Sequence, residues 1–244
     1  MAGNKSRQHE METMRGCLDS QGYSLLTEVG GLPHVHRILS LLGEMLPHAD
    51  GRLLYEVKAR HGFESLRFTK STNGIPVHTE APGTDPPPRL VALYCHTMAR
   101  CGGGHTDLVD GREFIATLGT SDRDLIQSHL VDFPPPGADD ERLPIRRGVV
   151  SFEDGIGEVI RFSSNLFSFG AYEAEVNGTP DSRATALGEF GPVLSRLAAE
   201  FFAQHRIRTL IPEDALLVWN NHRMLHARAE YKDARRHLTR FWLS

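Results

Sequence analysis

The sequence predicts a single, mainly β domain: an antiparallel barrel or sandwich with helices packed outside it. Three observations indicate this class. From Leu53 onward, short β-favouring runs are separated by Gly, Asn and Ser. One long helical segment, between Ser182 and Arg206, is inserted among these runs. The order of elements lacks the regular βαβ alternation that would indicate a parallel sheet.

The N-terminal part of the sequence predicts a lead-in, a strand and a helix before the main β segments. Residues 1–20 are polar and charged, and we expect a flexible lead-in there, with residues 21–244 forming one domain. Tyr23–Val29 is typical of a strand and ends at a Gly-Gly pair. Apolar residues at helical spacing then predict an amphipathic helix over His34–Leu46.

The remaining elements are predicted from residue type and from the glycine and proline residues that interrupt helices and strands. A helix is expected from Ser121, which can act as its N-cap. The long helix is expected to be interrupted or kinked near Gly191-Pro192. Residues 82–88 (PGTDPPP) predict a loop, because proline cannot donate to a sheet ladder. The expected strands are Leu53–Val57, Leu66–Thr69, Ile75–Thr79, Leu90–Cys95, Arg147–Phe152, Glu158–Phe162, Leu216–Trp219, Arg223–Leu225 and His237–Leu243.

Composition narrows the classes of function. The formal net charge is -4 and Lys and Arg form no long runs, so we expect no nucleic-acid or membrane-surface binding. The three cysteines form no CxxC pair, which predicts free thiols and no cysteine-based zinc site. The N-terminus lacks an apolar signal core and no run approaches ~18 apolar residues, so a cytoplasmic protein is expected. A homo-oligomer stays open.

Thirteen histidines are many for this length, and they suggest metal chemistry. Three His-x-acid pairs occur, about as many as chance would give: His48-Asp50, His78-Glu80 and His105-Asp107. On a strand, the two side chains of such a pair leave the same face. The first pair precedes a glycine and is typical of a solvated turn. His78-Glu80 ends a strand and opens into the proline loop, a placement that suits metal ligands at a barrel mouth. The alternative is a strand-end histidine beside a surface carboxylate.

The C-terminal segment carries a family resemblance. Residues 219–226 (WNNHRMLH), followed by Arg236 and Arg240, resemble the distal-histidine and arginine motifs of the taurine dioxygenase/clavaminate synthase-like Fe(II)/2-oxoglutarate oxygenases. The family's His-Thr-Asp/Glu motif is similar to residues 78–80, and its Gly-Gly-x-Thr-x-x-x-Asp-Gly motif to residues 103–111. The match runs in the family's order from about Leu53 to Leu243.

The resemblance implies a double-stranded β-helix (jelly-roll) fold, with Fe(II) as cofactor and 2-oxoglutarate and O₂ as co-substrates. The expected site residues fall into four groups. The metal ligands would be His78, Glu80 and His226, a facial triad with open positions. Arg236 and Thr106 would bind 2-oxoglutarate. Arg240 would bind the substrate's carboxylate or reinforce the 2-oxoglutarate site, Asp85 in the proline loop would contact a substrate amine, and Asn220 and Asn221 would orient the ligands.

Two positions refine this prediction. Asn220-Asn221 replaces the family's usual Asp-Asn pair, which removes a carboxylate near the ligands. Glu80 argues against a halogenating enzyme, which needs that coordination position for chloride, and it resembles the free-amino-acid hydroxylase branch. We expect hydroxylation of a small amino-acid-like metabolite with release of succinate and CO₂. The alternatives are desaturation or cyclisation, a non-catalytic metal-binding jelly roll, and an ordinary β-rich binding protein.

Overall fold

The structure, a computed structural model, describes residues 2–137, 141–180 and 186–244, with side chains from residue 11 onward. The helices are α1 (Ala2–Gln21), α2 (Leu32–Ser40), α3 (Gly111–Thr117), α4 (Thr120–Ser128), α5 (Ser164–Phe169) and α6 (Phe190–His205). The strands of the N-terminal half are β1 (Tyr23–Leu26), β2 (Met45–Leu46), β3 (Tyr55–Val57), β4 (Leu66–Arg67), β5 (Ile75–His78), β6 (Leu90–Thr97), β7 (Thr106–Asp110) and β8 (Val131–Phe133). Those that follow are β9 (Ile145–Arg147), β10 (Val150–Glu153), β11 (Gly157–Ile160), β12 (Ala174–Glu175), β13 (Ile207–Thr209), β14 (Leu216–Asn220), β15 (Met224–Arg228) and β16 (His237–Leu243).

Two antiparallel sheets form the body of the fold. The larger runs in the order β1-β14-β6-β16-β2, and β3 also pairs with β16. The smaller runs β13-β7-β15-β5. Three two-stranded ribbons, β10-β11, β4-β12 and β8-β9, flank them. This is the jelly-roll architecture that the resemblance implies, and the prediction of a mainly β fold with flanking helices is confirmed.

Alternation along the strands distributes apolar side chains among three cores. On β14, Leu217 and Trp219 belong to a core shared with Leu108 of the smaller sheet, whereas Leu216 and Val218 belong to a core shared with α1 and α2. On β7, Leu108 belongs to the first of these cores, and the next residue, Val109, packs with α6. Each sheet therefore has one face toward the other sheet and one face toward helices, as the period of two in a strand dictates.

The helices differ from expectation at three places. Helix α4 begins at Thr120 after Gly119, so Ser121 lies inside the helix and is not its N-cap. The expected helix over His34–Leu46 ends at Ser40, because residues 45–46 instead pair with β16 as a short strand. The long helix begins at Phe190, which places Gly191-Pro192 in its first turn rather than at a kink. A proline is tolerated there because first-turn N–H groups lack an intrahelical acceptor. Residues 181–185 of that expected helix lie outside the described residues.

The expected lead-in over residues 1–20 is corrected: α1 is a helix and its described part joins the fold. Met14 and Leu18 are buried against the larger sheet, in the core that contains Leu90 and Phe241. They are four residues apart and therefore share one helix face. The long polar stretches between apolar residues hid this narrow stripe. Among the described helices, none is long and apolar enough to cross a membrane.

We predict that Met14→Ala lowers the free energy of unfolding by about 2–4 kcal/mol, since it removes a fully buried side chain and leaves a cavity. Urea unfolding of the purified chain measures it. Asp19→Ala, an exposed position on the same helix, should change stability by less than about 0.5 kcal/mol. Equal stability of Met14→Ala and the unmodified protein would show that α1 does not belong to the folded domain.

Candidate metal and co-substrate site

Strand pairing in the smaller sheet brings two histidines together. β5 pairs with β15, and His226 is the register partner of His78, so that their ring centroids are 3.9 Å apart. Glu80 follows two residues after His78. Ligand atoms of these three side chains all lie within 4.8 Å of one another, and the described residues contain no second such His/Cys/Asp/Glu group. Two imidazoles and one carboxylate form the donor set of a facial non-haem Fe(II) site.

The imidazole rings of His78 and His226 are in the neutral form that can donate a lone pair to a metal. Burial lowers the pKa of His78, and burial followed by the neighbouring His78 lowers the pKa of His226 well below its usual value. Both rings are therefore neutral near pH 7. The Nδ1 of His78 lies 2.8 Å from the carbonyl oxygen of Pro76, an arrangement that keeps the proton on Nδ1 and leaves Nε2 for a metal.

Asn221 fixes the backbone of Glu80. Its Oδ1 accepts from the Glu80 N–H at 2.7 Å, and its Nδ2 donates to the carbonyl oxygens of Glu80 at 3.0 Å and Pro88 at 2.9 Å. Three hydrogen bonds from one buried amide therefore hold the chain where it leaves β5 for the proline loop. The neighbouring Asn220 acts elsewhere, since its Oδ1 accepts from the N–H of His222, and it makes no hydrogen bond to the three clustered side chains.

Arg240 reaches the site from the larger sheet. Its Nη1 donates to a Glu80 carboxylate oxygen at 2.8 Å. The guanidinium lies against two aromatic rings, 4.8 Å from the centroid of Tyr55 and 5.3 Å from that of Trp242. This ion pair joins the inner faces of the two sheets across the site.

His48 packs behind this arginine. Its ring is 4.2 Å from that of Trp242, and its Nε2 lies 3.2 Å from the carbonyl oxygen of Arg240. Burial, then the charge of Arg240, lowers the pKa of His48 to about 3, so the ring is neutral. The expectation of a solvated turn at His48-Asp50 is therefore wrong for His48, which is buried in the cavity wall. Trp242 lines the same cavity.

Arg236, immediately before β16, is a buried cation. The structure describes no carboxylate partner for it, and its Nη1 has no hydrogen-bond partner among the described residues. Its side chain lies on Gly104, where an added Cβ would approach Arg236 Cδ and Nε to 3.0 Å, so the glycine permits this close packing. Thr106 is buried two residues further on, at the start of β7. A buried guanidinium without a counter-ion fits an anionic ligand.

A cavity of about 670 Å³ opens onto this constellation. His78, Glu80 and Arg240 are in its wall, whereas His226, Thr106 and Arg236 are buried and do not line it. The rest of the wall comes mainly from two segments, Ile75–Pro82 and Arg67–Lys70, together with Asp50, Tyr55, Asn165, Tyr172, Glu173 and Trp242.

The structure does not bring Asp85 to this cavity. The proline loop turns at Thr84, and the Asp85 carboxylate pairs instead with Arg147 at 2.5 Å and Arg161 at 3.4 Å. Arg161 is fully buried and also contacts Glu153, so these two arginines draw the carboxylate away from the cavity. The expected contact of Asp85 with a substrate amine is therefore corrected. The third His-x-acid pair is likewise apart from the cluster, with Asp107 facing Arg206 and Arg208.

Sequence reasoning missed Tyr55, Asn165 and Arg228. Tyr55 and Asn165 line the cavity, and Arg228 follows His226 on β15 with its side chain buried. Burial, with a further contribution from Arg236, lowers the pKa of Arg228 to about 10, although nearby Tyr231 opposes this. These residues stand alone in the sequence rather than in a recurring motif, and only the register of the strands makes them neighbours.

The Taurine catabolism dioxygenase TauD, TfdA family model matches residues 4–242. The chain belongs to this family. It is therefore a dioxygenase of the Fe(II)- and 2-oxoglutarate-dependent class, with O₂ as the second co-substrate. No functionally curated protein has a sequence that matches this chain.

Solved structures of such oxygenases share the fold. An asparagine oxygenase in complex with Fe(II), 3-hydroxyasparagine and succinate has a TM-score of 0.72 at 16% identity, over 97% of this chain and 79% of that one. The oxygenase OrfP with Fe and α-ketoglutaric acid has a TM-score of 0.67 at 13% identity, over 97% and 80%. A taurine dioxygenase from Burkholderia xenovorans has a TM-score of 0.65 at 17% identity, over 96% and 81%.

We predict that Asn221→Ala weakens Fe(II) binding by about 10- to 100-fold, because Glu80 loses the amide that holds its backbone. It should also lower the free energy of unfolding by about 1–3 kcal/mol, since buried backbone groups lose partners. Anaerobic Fe(II) titration and urea unfolding measure the two effects. Asn220→Ala is the matched control and should keep its iron affinity. Equal iron affinities of the two variants would contradict the role of Asn221.

Proposed function

We propose that His78, Glu80 and His226 hold the catalytic Fe(II). The observation that carries this proposal is the cluster itself: His78 and His226 on two paired strands, and Glu80 just beyond the end of β5, have ligand atoms that lie within 4.8 Å of one another. The lowered histidine pKa values support it, because a protonated imidazole cannot bind a metal. Asn221 then acts on the ligand set from outside, by fixing the backbone of Glu80.

The 2-oxoglutarate anchor is Arg236, with Thr106 as the second donor. The guanidinium is buried without a carboxylate partner in the part of the chain that the structure describes. The distal carboxylate of 2-oxoglutarate supplies the missing negative charge and fits the planar fork of an arginine. The hydroxyl of Thr106 adds a neutral donor at the start of β7, two residues after Gly104, on which Arg236 packs.

Together, Fe(II), 2-oxoglutarate and O₂ supply oxidative decarboxylation to succinate and CO₂, coupled to oxidation of a substrate C–H bond. The chain's own residues hold the metal, orient the co-substrate and enclose the substrate. The outcome we propose is hydroxylation. As a metal ligand, Glu80 would fill the coordination position that a halogenating enzyme leaves vacant for chloride, which argues against halogenation.

The substrate is a small amino-acid-like metabolite. Arg240 lines the cavity, so its guanidinium can meet a substrate carboxylate although Nη1 holds Glu80. With Asp85 paired elsewhere, Asp50 and Glu173 are the acidic wall residues that can meet an amine. Solved relatives of the same fold carry 3-hydroxyasparagine and 3-hydroxyarginine, which supports this class of substrate.

We predict that the purified chain, supplied with Fe(II), ascorbate and 2-oxoglutarate, forms succinate, and that Glu80→Ala and His226→Ala lower this rate at least about 100-fold, because each removes a metal ligand. Succinate is measured by mass spectrometry. His105→Ala, a histidine outside the cluster, is the control and should retain the rate. Undiminished turnover in either ligand variant would overturn the ligand assignment.

For the substrate, we predict that free amino acids or their conjugates stimulate succinate formation above the substrate-free rate, since the cavity offers both a cation and carboxylates. A screen over these compounds, with product mass as the readout, tests it. A gain of one oxygen establishes hydroxylation. A loss of two hydrogens would replace it with desaturation or cyclisation, and stimulation only by compounds without a carboxylate would contradict the role of Arg240.

A further inference from the structure

A buried arginine holds one wall of the cavity entirely through backbone oxygens. The guanidinium of Arg228, on the strand that carries His226, donates to the carbonyl oxygens of Phe68 at 3.1 Å, Thr69 at 3.1 Å, Ser71 at 2.8 Å and Asn73 at 2.5 Å. The structure describes no carboxylate partner for this side chain. Its hydrogen bonds therefore all go to one short segment, Phe68–Asn73.

That segment forms part of the cavity. Phe68, Thr69 and Lys70 line it, and they lie outside the strands of the two main sheets. Between β4 and β5 these residues have no ladder of their own, so Arg228 supplies the hydrogen bonds that a sheet would otherwise provide. The position of this wall consequently depends on the Arg228 side chain.

Tyr231 links the same segment to the co-substrate anchor. Its ring centroid is 5.2 Å from Arg228 Cζ and 5.1 Å from Arg236 Cζ, so two buried guanidinium groups share one ring. Its hydroxyl donates to the carbonyl oxygen of Ser71 at 3.3 Å, and its N–H donates to that of Thr72 at 3.0 Å. One residue thus contacts both the anchor and the wall.

The charge arrangement makes these contacts sensitive to an anion. Arg228 and Arg236 are like charges in a low-dielectric environment and repel each other across Tyr231. A carboxylate bound to Arg236 cancels that repulsion and adds hydrogen bonds that immobilise Arg236 against Tyr231. Both effects favour the arrangement in which Arg228 and Tyr231 hold the segment.

We propose that Arg228 and Tyr231 are positioning residues that couple 2-oxoglutarate binding at Arg236 to ordering of the cavity wall Phe68–Asn73. The proposal rests on the assignment of Arg236 as the anchor. Because binding free energies are reciprocal, an ordered wall also strengthens 2-oxoglutarate binding. The site consequently completes its substrate cavity when the co-substrate is in place.

Hydrogen exchange of the full chain, under anaerobic conditions with Fe(II) and with or without 2-oxoglutarate, tests this coupling. In the unmodified protein, 2-oxoglutarate should slow amide exchange within residues 68–73 by at least about fivefold. Arg228→Lys keeps the charge but replaces the planar fork by a single ammonium group, and Tyr231→Leu removes the shared ring. Both should lose this slowing and bind 2-oxoglutarate at least about fivefold more weakly, with Fe(II) affinity unchanged.

Tyr94→Phe is the matched control, because Tyr94 also uses its hydroxyl in a hydrogen bond, to Asp214 at 2.9 Å, but packs on the other face of the larger sheet. It should behave as the unmodified protein does. Should Arg228→Lys fail to fold, Tyr231→Phe, which removes only the hydroxyl bond to Ser71, carries the test with a smaller loss of slowing.

Two results would overturn the coupling while leaving the anchor intact: 2-oxoglutarate binding without any change of exchange in residues 68–73, or full slowing in both Arg228→Lys and Tyr231→Leu. A different result would overturn the anchor, and the coupling with it. That result is an unchanged 2-oxoglutarate affinity in Arg236→Gln.

Discussion

The site depends on one strand pairing, that of β5 with β15, which sets His226 opposite His78. A shift of one residue in this register would direct one of the two side chains to the other face of the sheet. The pairing is secured on both sides, since β15 also pairs with β7 and His78 forms a bridge with Ser163. Thr79, between His78 and Glu80, accepts a hydrogen bond from the Phe162 N–H at 3.0 Å and holds the end of β5 from its other side.

Buried and half-buried arginines surround this frame, and the charge of each is balanced differently. Arg240 is paired with Glu80, Arg161 with Glu153 and Asp85, and Arg228 with four carbonyl oxygens. Arg236 is the exception, because no carboxylate or carbonyl oxygen in the described part of the chain pairs with it and its Nη1 has no hydrogen-bond partner there. Since burying an unpaired charge is costly, this exception is best explained by a ligand. The proposed assignment places the distal carboxylate of 2-oxoglutarate on this cation.

The sequence predicted most of the strands. It also predicted that His78, Glu80 and His226 lie close together. Alternating apolar residues give strands such as His237–Leu243 directly, and the motifs supplied the order of the site. The predictions that were wrong concern where single side chains lie. Asp85 was placed by its loop, but Arg147 and Arg161, distant in sequence, decide where its carboxylate lies. The α1 stripe and the carbonyl ligands of Arg228 depend on tertiary contacts that leave no periodic signal.

The most direct test of this iron and co-substrate site is anomalous diffraction at the iron edge, from crystals grown anaerobically with Fe(II) and 2-oxoglutarate. We predict one strong iron peak within bonding distance of His78, Glu80 and His226, about 2 Å from each. We also predict density for 2-oxoglutarate with its distal carboxylate on Arg236 and Thr106. An iron peak bound by other side chains, or 2-oxoglutarate density that ends away from Arg236, would contradict this assignment.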